Sequence, residues 1–184
     1  MTRPAKNSTQ RVVVTGGAGF IGSHLVERLL ADGADVTVID DLSTGGRDNL
    51  KSVAANPRLR FVESKVSNCP GLDGIIAGAD YVFHLAAAVG VELVVKSPVR
   101  VIETNIHETE VLLRAAKARC TPVLLASTSE VYGKSGKHEF GEEDDLLIGP
   151  PTHARWSYAC SKLMDEFLAL AYAKEHGVPV TVAR

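Results

Sequence analysis

Short apolar runs alternate along this chain with longer amphipathic stretches. The runs Arg11–Thr15, Asp35–Ile39, Leu59–Glu63, Tyr81–Leu85, Pro122–Ser127 and Val178–Ala183 are rich in Val, Leu and Ile and are bounded by turn-forming residues. They predict strands. Between them, apolar positions recur at helical spacing over Phe20–Asp32, Val99–Arg119 and Trp156–His176, with a shorter helix at Leu72–Ala77. Near-continuous apolar strands separated by helices predict a parallel sheet covered on both faces. The expected fold class is α/β, a doubly wound parallel sheet with strand order 3-2-1-4-5-6. Residues 11–184 read as one domain, preceded by a polar, flexible tail over residues 1–10. Val178–Arg184 reads as a core strand on which the chain stops, so a fragment of a longer protein is expected.

The turn after the first strand carries the strongest chemical signal. Thr15-Gly16-Gly17-Ala18-Gly19-Phe20-Ile21-Gly22 stands between an apolar strand and a helix, the context of a Rossmann-type dinucleotide-binding loop. Glycines there permit a tight turn, let a pyrophosphate approach the backbone, and let helix and strand pack closely. The helix N-terminus offers free N–H groups to the phosphates. Two frames fit: Gly17-x-Gly19-x-x-Gly22 and Gly16-x-x-Gly19-x-x-Gly22. Asp40, 18 residues beyond Gly22 and at the end of the second strand, is placed to accept hydrogen bonds from the adenosine ribose. Its charge would repel a 2′-phosphate, which favours NAD over NADP. His84-Leu85-Ala86-Ala87-Ala88 ends the fourth strand with small residues, leaving room for a flat ligand at the strand C-termini.

Composition narrows the function classes. Of 184 residues, 45% are hydrophobic and 23% charged, as in an ordinary globular domain. A net charge of −2 argues against nucleic-acid or membrane-surface partners. Neither a membrane-spanning apolar run nor a signal peptide is apparent. Cys69, Cys120 and Cys160 are scattered, as are the six histidines, so reduced thiols, a cytoplasmic location and no metal site are expected.

A second cluster lies in the C-terminal half. Tyr158 and Lys162, four apart at the start of a predicted helix, project from one face. A free phenol has a pKa of about 10, and a nearby cation lowers it toward the range of a general base. The fifth strand runs into Ser127-Thr128-Ser129-Glu130-Val131-Tyr132-Gly133, which brings hydroxyls and a carboxylate to the edge of the sheet that carries the glycine loop. A hydroxyl there can hold a substrate oxygen while Tyr158 takes its proton.

Together these segments resemble the extended short-chain dehydrogenase/reductase family, in its NAD-dependent nucleotide-sugar epimerase/dehydratase branch. The resemblance covers the chain from Arg11 to Arg184 and selects the frame Gly16-x-x-Gly19-x-x-Gly22, leaving Gly17 as a turn residue. It implies that Gly16, Gly19, Phe20, Ile21 and Gly22 hold the NAD pyrophosphate. Asp40, Asp41, Ser43, Thr44 and Gly45 would bind the adenosine ribose, with Val66 against adenine. Leu85, Ala86, Ala87 and Asn105 would lie beside the cofactor. It also implies catalytic roles for Thr128, Tyr158 and Lys162, with Lys162 and Tyr158 contacting the cofactor as well, and Glu130 beside them.

The implied mechanism oxidises a sugar hydroxyl to a 4-keto intermediate, with Tyr158 as base and NAD+ taking the hydride. Epimerisation, dehydration or decarboxylation comes next. Ser129 replaces the Asp of the dehydratases' Asp-Glu pair. That disfavours dehydration, and Asp41-Leu42-Ser43-Thr44-Gly45 looks epimerase-like, so a UDP-sugar 4-epimerase is expected. Ser127–Gly133 and Arg155–Tyr158 also look much like UDP-glucuronate decarboxylase, which is the alternative. A third possibility is a truncated NAD-binding module without turnover. Lys65 and Glu108 depart from the family, which often has Asp and Gly at those places. So does the length, because family members continue into a C-terminal substrate domain that is missing here. The resemblance further implies a homodimer through a bundle of the two long helices.

Overall fold

A computed structural model describes residues 9–184, so the tail expected over residues 1–10 lies, except for Thr9 and Gln10, outside the described residues. Six strands form one parallel sheet: β1 (Arg11–Thr15), β2 (Asp35–Asp40), β3 (Leu59–Glu63), β4 (Tyr81–His84), β5 (Val123–Ala126) and β6 (Val180–Ala183). Their order is β3-β2-β1-β4-β5-β6, as the alternation of elements predicts. The helices are α1 (Phe20–Ala31), α2 (Leu72–Ala77), α3 (Val91–Lys96), α4 (Pro98–Lys117) and α5 (Trp156–His176).

Alternate residues of the central strands bury against opposite layers. Val12 and Val14 pack with Val26 and Leu30 of α1 and with Val36 and Val38 of β2. Val13 and Val82 pack with Ile76 of α2 and Leu112, Ala115 and Ala116 of α4. Strands lined on both faces by β-branched side chains meet the demand of a parallel sheet that helices cover on both sides.

The structure departs from the pattern in three places. β5 and β6 begin one and two residues later than their apolar runs. Pro122 and Pro179 lack an N–H, so they only accept ladder bonds, from Val82 and Val123. The β2–β3 crossover has no full helix, only a 3₁₀ turn at Arg47–Leu50 that buries Leu50 under the α1 layer. The sequence pattern does not announce α3, whose Val91, Leu93, Val94 and Val95 read as a short apolar run rather than a helical period. Its Val94 is buried with Ala88 and Val101.

The glycine loop fixes how α1 meets the sheet. Gly16 has φ +70°, a conformation that L side chains rarely adopt, and a Cβ there would lie 2.7 Å from the Ala86 nitrogen. A Cβ on Gly22 would overlap the Gly16 carbonyl oxygen and lie 2.7 Å from the Gly17 Cα. Gly17, read as a turn residue, is confined too: its Cβ would meet both methyls of Val38 at 2.8 Å.

At the same end of the sheet, Thr15 of β1 sits beside Ile39 on one side and His84 on the other. The His84 ring is 1% exposed and bridges Thr15 Oγ1 (Nδ1, 2.8 Å) and Thr109 Oγ1 of α4 (Nε2, 3.1 Å). Burial, and next the charge of Lys162, lowers its pKa from 6.5 to about 3.

This packing has two testable consequences. Gly22→Ala should lower unfolding stability by roughly 1–3 kcal/mol, the usual range for overpacking. Denaturant titration measures the loss, and nucleotide binding should fall with it. The second concerns pH. The unfolded chain protonates His84 below about 6.5, while the folded chain refuses the proton until about pH 3. This contribution to stability is therefore complete above pH 6.5 and is lost as pH falls, by about 2 kcal/mol between pH 6.5 and 5. Asp165, whose carboxyl burial pushes up, works in the opposite sense. His84→Gln isolates the histidine: its slope of stability against pH over that window should be flatter than that of the wild-type protein.

Candidate active site

A cavity of about 660 Å³ opens at the C-terminal edge of the sheet, within the range of small-ligand sites. Its walls come from the ends of β1, β2, β4 and β5, the segment after β3, and the start of α5. The sequence placed its candidate residues on these same segments, and most of them line the cavity.

Gly16, Gly19, Phe20, Ile21 and Gly22 form one wall. Gly19 caps α1 without a side-chain bond, so the first N–H groups of the helix remain for an anionic ligand. Phe20 is 79% exposed and Ile21 70%. Asp40, Asp41, Ser43 and Thr44 continue the wall at the end of β2. The Asp40 carboxylate accepts from the Ala18 N–H through Oδ2 and from the Leu42 N–H through Oδ1, both at 2.8 Å. It thus ties the glycine loop to the following turn, while each oxygen keeps a lone pair for a ribose hydroxyl. Gly45 does not line the cavity. Its Cα packs on the Ala18 carbonyl, where a Cβ would lie 2.7 Å from the carbon. Arg47, near enough in sequence to suggest a 2′-phosphate, instead pairs with Glu63 at 2.8 Å and stacks over Phe61.

Val66 is buried and lines the β3 side with Ser64 and Lys65. Its 3₁₀ turn is held from α4 by Glu108, which accepts from the Ser67 N–H at 2.8 Å and from the Ser67 hydroxyl at 2.7 Å. The unexpected Glu108 is therefore a tie between α4 and the cavity wall. Nothing in its helical position pointed to a partner 41 residues away.

Leu85, Ala86 and Ala87 line the cavity where β4 ends. Asn105 does not reach it. Buried in α4, it accepts from the Ala88 N–H at 2.7 Å and donates to Ser161 Oγ at 3.0 Å. It joins the end of the β4 segment to the face of α5 that carries Tyr158 and Lys162. Thr104 and Arg100, one and two turns before Glu108 on α4, line the cavity with it and were missed. Their spacing on one face of α4 was the available signal.

Tyr158 stands in the cavity wall near the end of β5, and Ser127 faces the same space. Burial, then the charges of Glu130 and Asp165, hold its phenol above the ordinary value of 10. The lowering expected from Lys162 is not among the causes acting on the phenol, because Lys162 is buried and its Nζ pairs with Asp165 Oδ2 at 2.9 Å. The Thr128 hydroxyl accepts from the Glu130 N–H at 3.3 Å, capping the 3₁₀ turn Ser129–Tyr132. Thr128 and Glu130 lie beyond the cavity wall but at the same sheet edge, with Glu130 exposed. Asp165 and Glu166, which sequence reasoning passed over, secure this corner. Glu166 accepts from the Ser127 hydroxyl and pairs with Arg184 at 2.7 Å.

An uncapped helix N-terminus, a cradle of glycines with no room for a Cβ, and a carboxylate at the end of β2 together suit a pyrophosphate linked to a ribose. Among the described residues no helix is long and apolar enough to cross a membrane, and no cluster of three His, Cys, Asp or Glu could hold a metal ion.

Comparison with known proteins agrees with this geometry. The sequence profile of the NAD dependent epimerase/dehydratase family matches residues 12–184. A UDP-N-acetyl-alpha-D-glucosaminuronate decarboxylase from Bacillus cytotoxicus is 40% identical over 175 residues, which is 95% of this chain and 53% of that protein. A UDP-N-acetylglucosamine 4-epimerase from Methanobrevibacter ruminantium superposes with a TM-score of 0.86 at 33% identity, over 96% of this chain and 54% of the other. A dTDP-glucose 4,6-dehydratase from Streptomyces venezuelae, with NAD bound, gives 0.82 at 36% identity, over 94% and 54%. The chain spans about half the length of the curated relatives it matches first. It belongs to the NAD dependent epimerase/dehydratase family, in the extended short-chain dehydrogenase/reductase branch.

Proposed function

We propose that this chain is the NAD-binding, catalytic half of an enzyme that modifies a nucleotide-sugar through a 4-keto intermediate, and that the reaction is 4-epimerisation of a UDP-sugar. The observation that carries the proposal is the position of Tyr158. Its phenol faces the cavity at the sheet edge shared with the glycine loop, with Lys162 one helical turn behind it. The uncapped start of α1 would hold the pyrophosphate, Asp40 the adenosine ribose, and Val66 one face of adenine.

NAD+ held by these residues would supply a hydride acceptor regenerated within the turnover, and positive charge in the cavity that Tyr158 lines. Tyr158 Oη then takes the proton of the sugar hydroxyl and later returns it. Positive charge is what the phenol needs, because burial, Glu130 and Asp165 all oppose its ionisation. Ser127 and Thr128 offer hydroxyls to the reacting sugar oxygen. Epimerisation asks for no second acid–base pair. Dehydration does, and Ser129 supplies a hydroxyl where a carboxyl would be required.

Decarboxylation also asks for none, since a keto group β to a carboxylate already activates its loss. The 40% identity to a glucuronate-type decarboxylase favours that second reading. The half-length match leaves a third, an NAD-holding module that turns nothing over. We further propose a cytoplasmic homodimer through α4 and α5. Met164, Phe167 and Leu170 on α5 are 52%, 64% and 54% exposed, and Val99 and Ile102 of α4 extend the apolar face.

Incubation of the purified protein with UDP-glucose, UDP-N-acetylglucosamine and UDP-glucuronate, read by NMR and mass, tests the reaction. A C4 epimer of unchanged mass supports the proposal, loss of CO2 from UDP-glucuronate supports the second reading, and bound NAD without product supports the third. Tyr158→Phe should abolish turnover, a loss of at least about 10²-fold for a missing general base, while NAD binding persists. Undiminished turnover would remove Tyr158 from the mechanism. For assembly, Phe167→Glu should convert a dimer to a monomer in sedimentation, with the fold intact by circular dichroism.

A further inference from the structure

A line of polar side chains crosses the apolar interior from the cavity wall to the back of α5. It begins at the Ala86 N–H, which donates to Thr15 Oγ1 at 3.2 Å. Thr15 Oγ1 lies 2.8 Å from His84 Nδ1 and has no other acceptor at hand among the described residues. Its proton therefore points at Nδ1, which leaves the proton of neutral His84 on Nε2. Nε2–H donates to Thr109 Oγ1 at 3.1 Å, and the Thr109 hydroxyl is free to donate onward. The next group is the Asp165 carboxyl, which Thr109 helps to keep ionised against the opposing effect of burial. The contact is loose, since Asp165 Oδ1 has no partner at full hydrogen-bond geometry. Asp165 Oδ2 accepts from Lys162 Nζ at 2.9 Å, with both side chains almost wholly buried.

We propose that Asp165 is a positioning residue for the Tyr158–Lys162 pair: it docks the Lys162 ammonium in the interior and ties it, through Thr109, His84 and Thr15, to the strand end that lines the cavity. The inference rests on the reading of Tyr158 and Lys162 given above. A carboxylate three residues on from a lysine is a common surface pair on helices. Here the pair is buried, so the charge of Lys162 is compensated by Asp165 and not offered to the phenol. The charged groups around Asp165 are Lys162 and Glu166 of α5, with neutral His84 of β4 reached through Thr109 of α4. Those acting on Tyr158 are Glu130, from the turn after β5, and Asp165 itself. Burial, Glu130 and Asp165 thus favour the protonated phenol of Tyr158. The Lys162 ammonium stays one helical turn away, on an anchor that also feels the cavity wall.

The test uses the 184-residue protein without substrate, so that it does not depend on turnover. Asp165→Asn keeps the shape and removes the charge. Lys162, no longer docked, should be methylated by formaldehyde and borohydride about tenfold faster, as read by peptide mass spectrometry. The Tyr158 phenol, followed by NMR of ¹³Cζ-tyrosine and assigned with Tyr158→Phe, should titrate about one unit lower, a tenfold change in proton affinity. In a Lys162→Met background the same substitution should move the phenol less, leaving only the direct effect of removing the Asp165 charge. Thr109→Val keeps both charges and the side-chain shape. It should raise Lys162 methylation severalfold and remove the Nε2–H tautomer preference of His84 in ¹⁵N spectra, and it decides the matter if Asp165→Asn does not fold. Wild-type Lys162 reactivity and Tyr158 titration in the folded variants would overturn the proposal. Turnover that survives Tyr158→Phe would instead overturn the reading on which it rests, and leave these chemical readouts standing.

Discussion

The structure depends on how closely the first turn of α1 approaches β1. Gly22 rests on the Gly16 carbonyl with no room for a Cβ, and Gly16 turns back against the Ala86 backbone in a conformation reserved for glycine. This one contact has two consequences. The N–H groups that begin α1 are brought over the end of the sheet, where their partial positive charge favours an anion. The end of β4 is also pinned beside the glycine loop, so Leu85–Ala87 become a cavity wall and not a loop free to fold over it. Asp40 completes the arrangement by bonding the loop at Ala18 and its own turn at Leu42.

A sheet buried on both faces has little room for polar groups, and those it contains are spent at this edge. Thr15, His84 and Thr109 satisfy one another in a region otherwise filled by Val, Leu and Ile. A charged imidazole there would be costly, so His84 stays neutral well below ordinary pH. The buried ion pair of Lys162 and Asp165 obeys the same logic: two charges removed from water are tolerable only when each is the other's partner. The apolar core and the chemistry at the cavity therefore constrain each other. Hydrophobic strands gather the polar groups into a Thr15–His84–Thr109 line with the Lys162–Asp165 pair beside it, and burial disfavours charge on His84 and Asp165.

Strands and long helices were legible because their apolar periods extend over enough residues to be seen. The glycine loop and Tyr158 were legible because each lies next to a change of element, where local spacing carries geometric meaning. The strand starts shifted for a local reason, the missing N–H of Pro122 and Pro179. The hidden part has a different character. Glu108, Thr109 and Asp165 are single letters on helices whose partners lie on other elements, and helical position alone does not name a partner across the core. Asn105, expected beside the cofactor, instead braces Ala88 against Ser161 one layer behind the cavity. Gly17 looked dispensable to the signature, yet the space it occupies is limited by Val38, a residue of the next strand.

The resting state of Tyr158 bears on why one scaffold can serve several reactions. A phenol that ionises readily would present a base to water and to any small hydroxyl that entered the cavity. Here burial, Glu130 and Asp165 keep the proton in place, and Lys162 is occupied elsewhere. After the first oxidation, the sugar itself decides the outcome. A keto group beside a carbon that bears a carboxylate sheds CO2. One without that carboxylate is reduced again, on either face, unless an acid–base pair drives loss of water. Under the proposed mechanism the residues of this chain prepare the common first step, and the Ser129 hydroxyl, in place of a second acid, leaves the later steps to the substrate.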